Sequence, residues 1–240
     1  MTGKILLSSI LLATSMFADV NLNDESVIDK LGLAGLKDSI KMVNKQNAGE
    51  WYLYRAQKSI YDKVINDEFE YDDAWNKAYT VLNENITQYQ AFIGQESTIN
   101  LNASIGKYDF KNQKFPVAAM TPRSFLSFNG TDRIVWRGNG SNLRLTFDNV
   151  NIDNNFLPME KAAAKAFIKQ RKSQSGSVDR GITAKYTFTI SSVNTPISSI
   201  ENCSKGNNCG YIKIPELKAH IKKMDIVDDN GQVLTSYTYK

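Results

Sequence analysis

The apolar residues of this 240-residue chain change their spacing once, after Gly94, and that change limits the folds open to it. Before it, hydrophobic side chains recur every three to four residues. After it they alternate, and β-branched and aromatic types take over. The two periods predict a helical region over 19–93 and a β-rich region over 94–240. The expected class is α+β, with the helical region packed on an antiparallel, sandwich-like sheet.

In the helical region Ile28, Leu31, Leu36, Ile40 and Val43 follow the helical rhythm, interrupted by Gly32 and Gly35. Asn47-Ala48-Gly49 reads as a break, and a second helix is expected over 51–65 with Ile60, Tyr61 and Val64 on one side. The third pattern is the clearest: Trp75, Ala78, Tyr79, Leu82, Ile86, Tyr89 and Phe92 trace one stripe. Asp72 or Asp73 is placed to cap it, where a carboxylate meets free N–H groups.

In the β-rich region, strands are expected at 98–105, 125–128, 133–137, 143–150, 182–193, 211–214 and 219–227. Asp228-Asp229-Asn230-Gly231 between 219–227 and 233–239 predicts a hairpin, since Asn-Gly supplies positive φ angles. One helix is inserted over 158–172, with Pro158 near its first position, Glu160 in its first turn and Arg171-Lys172 in its last. Gly176 follows as a stop. On this helix Lys161, Lys165, Lys169 and Lys172 share a face, opposite Leu157, Ala164, Phe167 and Ile168, which are expected against the sheet. The lysine row is a solvated face by default. It is also the place where contact with an anionic partner is expected.

Charge divides along the same boundary. Residues 19–93 carry 13 acids and 8 bases, a charge of −5, and residues 94–240 carry 12 acids and 20 bases, a charge of +8. Two docking halves explain this most simply; an anionic partner for the basic half is the functional alternative. The whole-chain excess of +4 is not concentrated as in nucleic-acid binders, so no nucleic-acid partner is expected. Composition, at 42% hydrophobic and 22% charged, excludes a disordered chain.

The first eighteen residues read as a leader. Lys4 precedes the apolar run Ile5–Ala13, and a small residue, Ala18, stands at the exit before Asp19. The run is too short for a bilayer, which needs about twenty apolar residues. Cleavage after Ala18 and a periplasmic or secreted mature chain, not integral to a membrane, are expected. In an oxidising compartment Cys203 and Cys209, flanking a polar turn around Gly206, are expected to pair.

Catalytic and metal motifs are sparse. His220 is the only histidine, and no Gly-x-Ser-x-Gly or His-Glu-x-x-His is present, so no cofactor, metal or catalytic residue is assigned. Asn149 to Glu160 spaces oxygen side chains like an EF-hand loop, but Asn151-x-Asp153-Asn154 lacks the central Gly and Pro158 interrupts it; a turn is the simpler reading. Asp67, Glu68, Glu70, Asp72 and Asp73 could serve glycoside hydrolysis, though helix-start charges are the plainer account.

Ser104-Ile-Gly-Lys-Tyr-Asp-Phe-Lys-Asn-Gln-Lys-Phe-Pro116 and Leu157-Pro-Met-Glu-Lys-Ala-Ala-Ala-Lys-Ala-Phe167, followed by a long strand, resemble an uncharacterised family of exported bacterial proteins over about residues 95–193. The resemblance implies export and an α+β fold, and no activity. The expected function is that of an exported, non-enzymatic binding or envelope-associated protein. The alternatives are a carboxylate-dependent hydrolase of envelope polymers and a secreted effector that binds another protein.

Overall fold

A computed structural model describes residues 20–118, 125–128, 141–149, 155–200 and 209–240. Among the described residues the sheet has nine strands: β1 (Val20–Asn21), β2 (Glu96–Ile105), β3 (Lys114–Ala118), β4 (Phe125–Phe128), β5 (Ser141–Phe147), β6 (Phe156–Pro158), β7 (Gly181–Asn194), β10 (Glu216–Val227) and β11 (Val233–Thr238). β8 (Ile197–Ser199) and β9 (Tyr211–Ile212) pair separately. The helices are α1 (Glu25–Ala34), α2 (Lys45–Ala56), α3 (Lys58–Val64), α4 (Glu68–Tyr89) and α5 (Lys161–Gln170).

The main path runs β4-β5-β10-β7-β2-β3-β6, with β1 beside β2 and β11 beside β10. The α+β class holds, but the expected antiparallel sandwich is corrected. β5 meets β10 in parallel, as β1 meets β2, so the sheet is mixed, and it curls into a half-barrel. Side chains of α1 and α5 lie in the same apolar cluster as the buried face of β7 and β10, so helices cover a face that a sandwich would cover with a second sheet. On β7 the buried residues are Ile182, Ala184, Tyr186, Phe188 and Ile190, one face of a period-two strand. β10 changes parity: Leu217, Ala219 and Ile221 are buried, then Met224 and Ile226. The register against β7 shifts between Ile221 and Lys223, and a bulge of this kind moves the apolar set from odd to even positions without exposing it.

A second apolar cluster lies among the helices, where Trp51, Leu53, Leu82 and Ile86 join Ile200, Cys209 and Ile212. The stripe read from the sequence holds along α4 as far as Tyr89, with Ala78, Leu82 and Ile86 buried, whereas Phe92 falls in the 3-10 turn that follows and packs against the sheet's cluster. Other helix boundaries differ. The expected helix at 51–65 is two helices, broken at Gln57 (φ −128°), and 47–49 lies inside α2 behind an Asn44 cap. Gly49 is required there by a close crossing: a Cβ would run into the Trp75 carbonyl oxygen of α4. The α4 cap is Asp67, whose Oδ1 accepts from the N–H of Phe69 and of Glu70 at 3.0 Å, rather than Asp72 or Asp73.

The hairpin between β10 and β11 is present, with a different turn. Gly231 alone has positive φ (+81°) and its N–H reaches the Asp228 carbonyl, while the Asp228 carboxylate accepts from the N–H of Asn230 and of Gln232. A side chain that binds its own loop replaces the two-residue Asn-Gly turn by a longer one ending in a left-handed Gly. The expected strand at 133–137 and the leader at 1–18 lie outside the described residues.

Candidate functional site

The inserted helix is shorter than 158–172. Pro158 ends β6, opposite Lys114 of β3, so its missing N–H falls in a strand at the edge of the sheet. Glu160 is the N-cap residue and the helix ends at Gln170. Lys161, Lys165 and Lys169 are exposed on it, whereas Lys172 lies past the end, bridged to Val178. Ala164 is buried, and Phe167 and Ile168 pack against the main core as expected. Arg171 anchors the exit: it donates to the Gly181 carbonyl and to Asp229 (2.7 Å) and stacks on Phe167.

Beside this helix lies a groove of about 470 Å³. One wall is the connection between β2 and β3, which contributes Lys107, Tyr108 and Phe110, together with Phe115 of β3. The other is α5, which contributes Lys161, Ala164, Lys165 and Ile168, and Arg180 completes it. Four of the nine lining residues are cations and none is an acid. Phe115 and Ala164 form a dry floor, with Tyr108 tilted against Phe115 at a centroid distance of 4.9 Å. The Tyr108 hydroxyl donates to the Met159 carbonyl (2.8 Å), tying the two walls together. Arg180 donates to the Gly106 carbonyl, and Lys161 stands 5.9 Å from the ring centre of Phe110. Phe110, 71% exposed, forms the lip.

Three carboxylates adjoin the lining in sequence: Glu160 beside Lys161, Asp179 beside Arg180, where it accepts from the Gly181 N–H (2.8 Å), and Asp109. The Asn112 side chain, its backbone N–H and that of Lys111 hold the Asp109 carboxyl below the usual range and turn it into its own loop. Among the described residues no carboxylate pairs with Lys107, Lys161, Lys165 or Arg180. Of the expected lysine row the structure thus brings Lys161 and Lys165 to a concave site and leaves Lys169 and Lys172 outside it. Lys107, Phe110 and Arg180 were not singled out from the sequence, because no local spacing joins residue 107 to residue 180. The two stretches that carry the family resemblance, 104–116 and 157–167, are the two walls.

The other candidates do not assemble into chemistry. His220 Nδ1 lies 3.2 Å from Asp148, and the Ser191 hydroxyl donates to the other oxygen of that carboxylate (3.1 Å). Asp148 therefore sits between serine and histidine, whereas a hydrolytic triad needs histidine between them. The second histidine nitrogen faces Asn149 at 3.2 Å. Asn149, the first position of the EF-hand-like spacing, is occupied elsewhere: its side chain accepts from the Ile221 N–H and donates to the Ile221 carbonyl, both at 3.0 Å. Residues 150–154 of that spacing lie outside the described residues. In the acidic run, Asp67 is the cap of α4 and Asp72 accepts from the Trp75 indole N–H (3.0 Å). Cys209 is buried in the helical cluster; Cys203, the other half of the expected pair, lies outside the described residues.

A family model described as a domain of unknown function (DUF4852) matches residues 46–170, from α2 through α5. No curated protein and no solved structure matches the chain. Among the described residues no helix is long and apolar enough to cross a membrane.

Proposed function

We propose, from the premise that the chain belongs to the family described as a domain of unknown function (DUF4852), that it is an exported, non-enzymatic binding protein of the envelope whose anion-recognising site is the groove beside α5. The groove carries this reading: it joins an apolar floor to four cations, with no carboxylate in its lining. The leader-like residues 1–18 support export. Asp67 and Asp72 already serve helix α4, which favours binding over a hydrolase at 67–73.

Vesicles of mixed phosphatidylglycerol and phosphatidylcholine test the site. The parent protein should bind them at low salt and progressively lose them as salt rises, because exposed charge contacts are screened within about 10 Å at 0.1 M. The double variant Lys161→Gln/Lys165→Gln should fold normally and bind at least tenfold more weakly, and Lys169→Gln/Lys172→Gln should bind like the parent. Equal binding by both pairs, or none by the parent, overturns the groove as an anion site.

Export makes a separate prediction about Cys203 and Cys209. Protein recovered from the oxidising compartment should weigh two hydrogens less than its reduced form, and reduction should cost no more than about 2–3 kcal/mol, since the loop is short. Two titratable thiols in that protein would refute the pairing.

A further inference from the structure

Resting on the groove being an anion site, we infer that its ligand is a single-chain anionic amphiphile, with the chain on the apolar floor and the headgroup among the cations. A headgroup alone uses only half of what is there. The three lysines at the rim are exposed and screened, so a bare phosphate gains little from them. The floor is different. Phe115 and Ala164 are already removed from water and back it, while the half-buried Tyr108 and Ile168 present the apolar surface that a chain can still cover. Phe110 stands edge-on to Tyr108 at 5.1 Å with most of its ring in solvent, so a chain lying on Tyr108 would also cover it. A cavity of about 470 Å³ is within the range that holds one small ligand, roughly 300–1,000 Å³. Charge complementarity fixes the headgroup: no acid lines the groove, so a cationic head meets repulsion without compensation, and a zwitterionic head offsets the attraction of its anion by the repulsion of its own cation.

The test is calorimetric titration of the full protein with monomeric alkyl phosphates, all below the concentration at which they form micelles. Hexyl, octyl and decyl phosphate should bind with affinity rising by about fourfold per added methylene until the floor is filled. Inorganic phosphate and decyl maltoside should each bind at least tenfold more weakly than decyl phosphate. Phe110→Ser, at an exposed position that leaves the core intact, should weaken decyl phosphate at least threefold and leave inorganic phosphate unchanged. Lys161→Gln/Lys165→Gln should weaken decyl phosphate and not decyl maltoside. Equal affinities of hexyl and decyl phosphate, or decyl maltoside binding as tightly as decyl phosphate, overturn the amphiphile. In those cases vesicle binding that depends on Lys161 and Lys165 still stands as a headgroup contact. No binding of any alkyl phosphate also overturns the amphiphile, and the vesicle result alone then decides the groove.

Discussion

Gly35→Ala should lower unfolding stability by about 2–4 kcal/mol, although alanine is the better helix residue. Gly35 follows α1 with ordinary right-handed angles (φ −67°), so the backbone would accept a side chain. Space would not. An added Cβ would collide with the Thr195 hydroxyl, and would lie 2.8 Å from the Thr195 backbone nitrogen and 2.9 Å from Val193 Cγ1. Thr195 is fully buried and knits the helical region to the end of β7: its N–H donates to the Gly35 carbonyl (2.9 Å), its hydroxyl donates to the Gly32 carbonyl (2.8 Å), and its own carbonyl accepts from Ser39 (2.8 Å). Overpacking in a tight site costs about 1–3 kcal/mol, and each displaced hydrogen bond adds about 1. The usual gain of Gly→Ala, about 0.4–1 kcal/mol, offsets part of this. Urea titration monitored by tryptophan fluorescence gives the number, and a loss below about 0.5 kcal/mol would mean that the two segments can separate freely.

Asn149→Leu should cost a further large amount, about 2–4 kcal/mol, at a position that looks like a loop. One edge of β10 is shared by two strands: β5 pairs with Glu216–Ala219 and β11 with Lys223–Val227. Between them Ile221, which has no exposed surface, would present an unpaired N–H and carbonyl. The Asn149 amide fills that gap like a peptide unit of a missing strand, accepting from one group and donating to the other, and it also reaches the Lys240 carbonyl (3.3 Å). Leucine supplies neither function, and each buried group left unsatisfied costs about 1–3 kcal/mol. Asn149→Asp is the discriminating partner. It keeps the acceptor and loses the donor, so it should fall between the parent and Asn149→Leu. Equal stability of all three in thermal unfolding would refute the bridging role.

Local residue patterns were enough to read the class, most of the α4 stripe, the strands at 125–128 and around 182–193, and the packing of Ala164, Phe167 and Ile168 toward the core. All of these rest on periodicity or on a single turn, which a chain carries locally. They also placed Lys161 and Lys165 on the exposed face of α5. That β5 enters parallel to β10 is set by long-range packing, because strand partnership depends on residues some seventy positions apart. The same packing decides why Gly35 and Gly49 are glycines, since the atoms that exclude a Cβ belong to Thr195 and Trp75 rather than to their neighbours. The groove is the same kind of fact. Its cations come from residues 107, 161, 165 and 180, and only the pairing of β3 with β6 and the packing of α5 put them around one apolar floor.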